Sequence, residues 1–368
     1  MKLEKKYQQF NGLGISCKYG ICGLPLMFDS YQTCGFQCAY CFSNNRSYMA
    51  NSKQLKVAKL SQIRFLLSEP TRCERYKLLQ ALLLKGITVH CGSLSDPFQP
   101  INEELRITNQ AIDIFNEHNV HLLFSTKSDT VHDANIRNDL HSFQLSVSNV
   151  KNIREIEPNV PSIERRLSFF NDLKTQGFKV GIRIQPFIPD ISTLEILDMF
   201  HDADHFTIEG IKLNISSKDS CEDILNCMNL KKEQFENNAS LWRLNAEERI
   251  RLYKPFIEWF NKNNKSYSIA DNDLRFLGNN YCCCGDCLVN KATGFDTTCM
   301  LRKYGRNYSL ENVLDAIDDL GIGDYAADYY APAKDCMGSK TLKDFIVRRF
   351  NAKRSNVSPK YQYGLDME

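Results

Sequence analysis

The chain has 368 residues, of which 43% are hydrophobic and 24% charged, with a formal net charge of +2. That length allows about two domains, and the near-neutral charge excludes a global nucleic-acid footprint, so any basic surface must be local. Fifteen cysteines behind a polar start, Met1-Lys2-Leu3-Glu4-Lys5-Lys6, do not read as a secreted disulfide scaffold. Apolar runs such as residues 78–84 are far too short to span a bilayer, so the expectation is a soluble, cytoplasmic protein with no membrane partner.

Residues 1–23 read as an irregular lead-in whose Cys17 and Cys22 are buried or free thiols. A first strand is predicted at 24–28, delivering a cysteine-rich loop from its C-terminal end. Helical periodicity covers 54–67 and 72–85, and a strand follows at 87–91. Asn102 is expected to cap a helix whose first turn holds Glu103 and Glu104, at the positive end of the dipole. Strands follow at 120–125 and 143–147. Ser162, after Pro161, caps a predicted helix to about Gln176, stopped by Gly177. Residues 179–184 and 206–213 complete six strands.

Such alternation means parallel strands with crossover helices, and six units are too few for a closed eight-stranded barrel. The expected fold class is α/β, an open, TIM-like (β/α)6 partial barrel over residues 24–220 with its site at the strands' C-terminal ends. Residues 221–368 are expected to form a cysteine-rich, mostly helical extension. Within it, 223–245 is polar and Asn-rich, and 246–261 is an amphipathic helix that Pro255 should kink or split. Residues 281–299 are dense in cysteine, 310–320 is helical, and 324–330 is aromatic and acidic. The tail from Lys340 carries Lys343, Arg348, Arg349, Lys353, Arg354 and Lys360, a solvated helix face or a phosphate-binding surface.

Chemistry concentrates in Tyr31-Gln32-Thr33-Cys34-Gly35-Phe36-Gln37-Cys38-Ala39-Tyr40-Cys41-Phe42. Thiolates of Cys34, Cys38 and Cys41 at this spacing can ligate three irons of a [4Fe–4S] cube and leave the fourth iron open to a small molecule. Ferredoxin-type sites instead use four cysteines. A zinc knuckle is the alternative, but zinc usually wants a fourth nearby Cys or His, and none lies in 43–50. With an aromatic before its last cysteine, the loop resembles the signature of the radical S-adenosylmethionine (SAM) enzymes. Five segments follow it in order: Gly92-Ser93-Leu94-Ser95-Asp96-Pro97-Phe98-Gln99-Pro100, Ser125-Thr126-Lys127-Ser128, Leu145-Ser146-Val147-Ser148, Glu157-Pro158 with Pro161-Ser162 and Arg165-Arg166, and Arg183-Ile184-Gln185-Pro186-Phe187-Ile188-Pro189. Together they resemble the radical SAM family related to spore photoproduct lyase, a direct-reversal DNA repair enzyme, over roughly residues 24–213.

The resemblance implies that the open iron chelates SAM and that Lys127 gives a fixed cation to SAM's carboxylate. Ser95, Asp96 and Ser146 are placed to hold SAM by hydroxyl and carboxylate contacts, with local turn capping as the alternative. Tyr40 is expected beside the adenine. Arg183 is expected to face the barrel and bind cofactor or a substrate anion, since a charge there is costly unless paired. Spore photoproduct lyase places a hydrogen-donating cysteine at the position of Ser93. Here Cys91 stands two residues upstream on the same strand face, as an inward hydrogen donor or radical relay, or as a small core residue.

A second cysteine focus is Tyr281-Cys282-Cys283-Cys284-Gly285-Asp286-Cys287 with Cys299. Cys284 and Cys287 form a C-x2-C pair that Cys282 or Cys283 and Cys299 could complete, for zinc or an auxiliary Fe–S cluster. The alternative is a set of clustered thiols. The expected function is a radical SAM enzyme, of lyase or oxidoreductase type. A [4Fe–4S] cluster reduced by an external donor such as flavodoxin or ferredoxin would split SAM, and the 5′-deoxyadenosyl radical would abstract hydrogen from substrate. The substrate class implied by the resemblance is a nucleic acid or nucleotide. The alternatives are modification of a peptide or protein, and a non-catalytic metal-binding interaction protein.

Overall fold

The computed structural model describes residues 7–16, 22–41, 43, 55–214, 225–238, 241–327 and 338–355. Cys17, Phe42, Cys221, Tyr330 and Lys360 lie outside the described residues. The chain is organised by one eight-stranded sheet in which each strand lies beside the next one in sequence. Its strands are β1 (Leu13–Ile15), β2 (Leu26–Phe28), β3 (Val89–Cys91), β4 (Leu122–Thr126), β5 (His141–Ser146), β6 (Lys179–Phe187), β7 (His205–Gly210) and β8 (Tyr267–Ile269). β1 runs antiparallel to β2, and every other pair is parallel. This is the expected α/β partial barrel, with all six predicted strands in place. β1 and β8 were not expected, because three residues are too few to show a period. Through β8 the sheet runs past the boundary expected at residue 220.

The two faces of the sheet differ in chemistry, and register decides which residues share a face. Phe28 meets Phe115 of helix Ile107–Glu117 edge-on, with ring centroids 5.6 Å apart. Phe143 likewise meets Phe169 of helix Ile163–Thr175 at 6.2 Å. Phe28, Cys91, Phe124 and Phe143 are successive register partners, so all four point toward the helices. The opposite, inner face carries His90, Ser125, Gln144, Arg183 and Thr207, a polar lining.

Several local expectations change. Asn102 does not cap a helix: Pro100 stands at that position, and the buried Asn102 amide links Tyr31 Oη (2.7 Å) to Asn109 (2.8 Å). Residues 56–58 form a strand beside Gln8–Phe10, and the helix there begins only at Leu60. Helix Ala246–Lys262 runs unbroken through Pro255, which lies on the exposed side, where the carbonyl of Arg251 can meet water. Strands Lys212–Asn214, Phe235–Asn238 and Leu241–Leu244 pair antiparallel in a small second sheet: the first takes the end of the strand expected over 206–213, and the other two lie where only a polar stretch was expected.

Two buried histidines make the fold sensitive to acid. His205 sits on the inner face, bonded to Ser266 (2.9 Å) and Ser268 (3.0 Å), and burial followed by the charge of Arg183 pushes its pKa down to about 3. Burial, then Arg137, holds His141 down at about 4. Both stay neutral in the fold while the unfolded chain protonates near pH 6.5. Their contribution is therefore complete above that pH and falls as the pH drops toward 4. In urea titrations the unfolding free energy is expected to decline below pH 6.5, by at most about 1.4 kcal/mol per pH unit for each histidine. His205→Gln should flatten that slope, and an unchanged slope would remove His205 as a cause.

Candidate active site at the C-terminal mouth of the barrel

The loop bearing Cys34, Cys38 and Cys41 leaves the C-terminal end of β2 and is fastened from several sides. The Gln99 amide accepts from Gly35 N (2.7 Å) and donates to Thr33 O (2.8 Å). Asn159 donates to Gly35 O at 2.9 Å, and Ala39 N donates to Ile156 O at 2.9 Å. Gln37 takes a left-handed turn (φ 53°), and Cys41 N closes on Cys38 O at 3.1 Å, which folds the loop back on itself. All three thiols are free and belong to one packed group with Phe36 and Tyr40. Burial pushes Cys34 and Cys38 up to about 12, reinforced for Cys34 by Asp96 and opposed for Cys38 by Lys127.

Three soft donors on one loop fit a cluster with one open iron. Among the described residues, no three His, Cys, Asp or Glu side chains converge on the position of a single ion. Binding would have to displace the thiol protons.

Beside the loop lies a buried charge centre that sequence reasoning did not assign. Glu157 is 4% exposed and Lys127 13%, with Lys127 Nζ 3.1 Å from Glu157 Oε1. Tyr40 Oη donates to the same oxygen, and the Lys127 ammonium stands 5.4 Å from the centre of the Tyr40 ring. Glu157 Oε2 accepts from Asn149 Nδ2 (3.1 Å) and faces Arg166 Nη2 at 3.8 Å. Burial alone would raise the Glu157 carboxyl, but Lys127 and then Arg166 outweigh it and hold the group below the usual carboxylate range. Two cations, Lys127 and Arg166, thus meet Glu157 beside the cysteine loop, and the buried Asp96 carboxyl acts on both Lys127 and Cys34.

Other predicted site residues fasten the mouth. Asp96 accepts from Thr126 Oγ1 (2.7 Å), Phe98 N (3.0 Å) and Lys127 N (2.6 Å), tying the turn after β3 to the end of β4. Burial lifts its carboxyl to about 6. Ser95 Oγ donates to Tyr31 O at 2.7 Å, and its amide donates to Asp29 at 3.1 Å. Only the Asp96–Phe98 contact lies within the turn; the others are tertiary bonds that join separate segments. Gly92 makes the turn possible: at φ +92° a Cβ would stand 2.4 Å from Ser125 O. Ser146 ends β5, and its carbonyl accepts from Arg166 at 2.9 Å. Arg183 lies on the inner face as expected, bonded to Gln144 (3.2 Å) and 3.6 Å from Glu209.

Cys91 does not face the site. It shares the helix-facing side with Phe28 and Phe124 and is buried in the apolar core, while its neighbour His90 points inward and bonds Ser125 Oγ at 2.7 Å. The shared face with Ser93 ends at Gly92, where the strand stops. Cys91→Ala is therefore expected to leave hydrogen transfer unchanged and to cost about 1 kcal/mol of stability. Trapped or altered products in that variant would reverse this placement.

The second cysteine group also differs from expectation. Cys282 and Cys284 lie together with Cys22 and Cys283. Cys287 is exposed, its thiol 3.6 Å from Asp204 O. Cys299 stands in the first turn of helix Thr297–Tyr304, which Asp296 caps.

No family model matches the chain. An uncharacterized protein of Methanocaldococcus jannaschii is 25% identical over 180 residues, 48% of this chain. The match spans 65% of that relative's length, just under two thirds. Among solved structures, spore photoproduct lyase complexed with dinucleoside spore photoproduct matches at TM-score 0.51 and 15% identity, over 70% of this chain and 78% of that one. A substituted form of the lyase with bound AdoMet and dinucleoside spore photoproduct matches at 0.51 and 16%, over 71% and 81%. The likeness is one of fold: the partial barrel of this chain is similar to that of spore photoproduct lyase. No helix among the described residues is long and apolar enough to cross a membrane.

Proposed function

We propose that this chain is a radical SAM enzyme acting on a nucleic acid or nucleotide. The observation that carries the reading is the set of three free thiols at the C-terminal mouth of a parallel barrel, beside the buried Lys127–Glu157–Arg166 group. When bound there, a [4Fe–4S] cluster held by Cys34, Cys38 and Cys41, together with SAM, would supply a 5′-deoxyadenosyl radical that abstracts hydrogen. An external donor such as flavodoxin or ferredoxin would reduce the site. The chain's own work is positioning: Gln99 and Asn159 hold the loop, and Lys127 offers its charge to SAM's carboxylate. On the polar inner face Gln144 is bonded to Arg183 and to Cys283 O, and His90 to Ser125. The nucleic-acid class rests on fold likeness to a lyase solved with a dinucleoside. Because Cys91 lies behind the sheet, the reading stops at hydrogen abstraction.

Two measurements test it. Lys127→Ala should weaken SAM binding by about 1.5–3 kcal/mol, the worth of one charge-assisted contact, while iron content stays largely intact. Unchanged SAM affinity would remove Lys127 from the site. Anaerobic turnover with dithionite and SAM, screened against deuterated DNA, RNA and peptide pools, should carry label into 5′-deoxyadenosine only with nucleic acid. Label from peptides alone would overturn the substrate class, and no SAM cleavage at all would overturn the enzyme.

A further inference from the structure

The opposite end of the barrel holds a feature that hydrogen abstraction does not use. Residues 281–293 lie against the N-terminal ends of the strands. Thr88, just before β3, donates its amide to Lys291 O (3.0 Å) and receives Lys291 N on its hydroxyl (3.2 Å). Ser142, near the start of β5, donates to Leu288 O at 2.5 Å. The loop then reaches the inner face, where Gln144 Nε2 (3.0 Å) and Thr207 Oγ1 (2.7 Å) both donate to Cys283 O. Cys282, Cys283 and Cys284 are thereby set into the barrel floor.

Cys22 comes to the same place from the other end of the sequence. It packs with the three loop cysteines against Leu24, Leu123, Leu288 and Val289. The close approach depends on the next residue: a Cβ on Gly23 would stand 2.8 Å from Asp296 Oδ2 and 2.9 Å from Ala292 Cβ. Only glycine lets the segment carrying Cys22 lie against the loop this tightly.

We propose that Cys22, Cys282, Cys283 and Cys284 ligate a second iron–sulfur cluster at the floor of the barrel, opposite the mouth where Cys34, Cys38 and Cys41 lie. Four thiols drawn from two distant segments into one apolar pocket are the ligand set that such a cluster takes. The inward Arg183 is within electrostatic reach of Cys283, Cys284 and Cys22, so an anionic, thiolate-bound group would meet a fixed cation. Cys287, exposed and turned to Asp204, stands outside the set, and Cys299, on its own helix, approaches it through Cys282. The cluster would fasten residues 22–24 and 281–293 into the open lower end of the sheet. This inference is independent of the reaction at the mouth.

The test uses the full chain with Cys34, Cys38 and Cys41 all changed to Ala, reconstituted anaerobically with iron and sulfide. About four irons and four sulfides per chain are expected to remain. Adding Cys22→Ser or Cys284→Ser should reduce that iron at least tenfold, whereas Cys287→Ser or Cys299→Ser should leave it. Loss of iron with either of the last two, zinc bound in place of iron, or a folded triple variant without iron overturns the proposal. Should the triple variant not fold, iron analysis of the reconstituted parent chain decides: about eight irons per chain supports two clusters, and about four overturns the second.

Discussion

Cys38→Ala is expected to lower reductive SAM cleavage to background and to erase any SAM-responsive electron-paramagnetic signal from the mouth of the barrel. Cys38 is the middle cysteine of the C-x3-C-x2-C loop and the buried one of the three. In the proposed cluster three thiolates would hold three irons with no spare ligand, and losing one would leave an iron exposed to solvent and oxidation. The rest of the loop should survive, because Gln99 and Asn159 hold Thr33 and Gly35 by contacts that do not involve this thiol. The parent and variant should therefore share a circular dichroism spectrum while differing in 5′-deoxyadenosine produced under dithionite. An undiminished rate of SAM cleavage in Cys38→Ala would sink the assignment of the loop.

The strands were legible where they were long enough to alternate. β4 to β7 carry five or more residues each, and their apolar positions separate cleanly from the polar inner face. β8 has three residues after a Lys- and Asn-rich turn, and only its parallel partner β7 makes it a strand. Side-chain direction was harder. Cys91 and Ser93 share a period-two spacing, yet Gly92 ends the strand between them, so the spacing did not carry one face across. Glu157 was visible only as part of a short motif with Pro158. A fixed cation such as Lys127 must have a buried counter-ion, and Glu157 and Asp96 were the acidic residues among the recognised segments. A buried counter-ion for Lys127 was therefore to be sought at those two residues. The pairing of Cys22 with residues 282–284 had no local signal, because contact between segments some 260 residues apart is a tertiary fact.

Glu157→Ala is expected to be the most damaging single change at the mouth, through stability as well as cofactor binding. Its carboxylate receives Tyr40, Lys127, Asn149 and Arg166 at once. Removing it leaves Arg166, 2% exposed, and Lys127, 13% exposed, as two buried like charges without their shared counter-ion, with Asp96 acting on Lys127 alone. Breaking a buried pair in this way typically costs about 3–5 kcal/mol, more than the pair contributes relative to an apolar replacement. Glu157→Gln keeps the shape and an acceptor for Tyr40 and Lys127 but not the charge, and should cost less. The two effects can be separated with a double variant. Lys127→Met with Glu157→Gln removes both charges of the closest pair, so it should recover part of the stability lost in Glu157→Ala, yet bind SAM no better than Lys127→Ala. Urea unfolding reads the first quantity and equilibrium SAM binding the second. If Glu157→Ala unfolds at the parent's urea midpoint, the carboxylate is not the counter-ion that holds Lys127 and Arg166 in place. The positive charge assigned to SAM's carboxylate would then need another source.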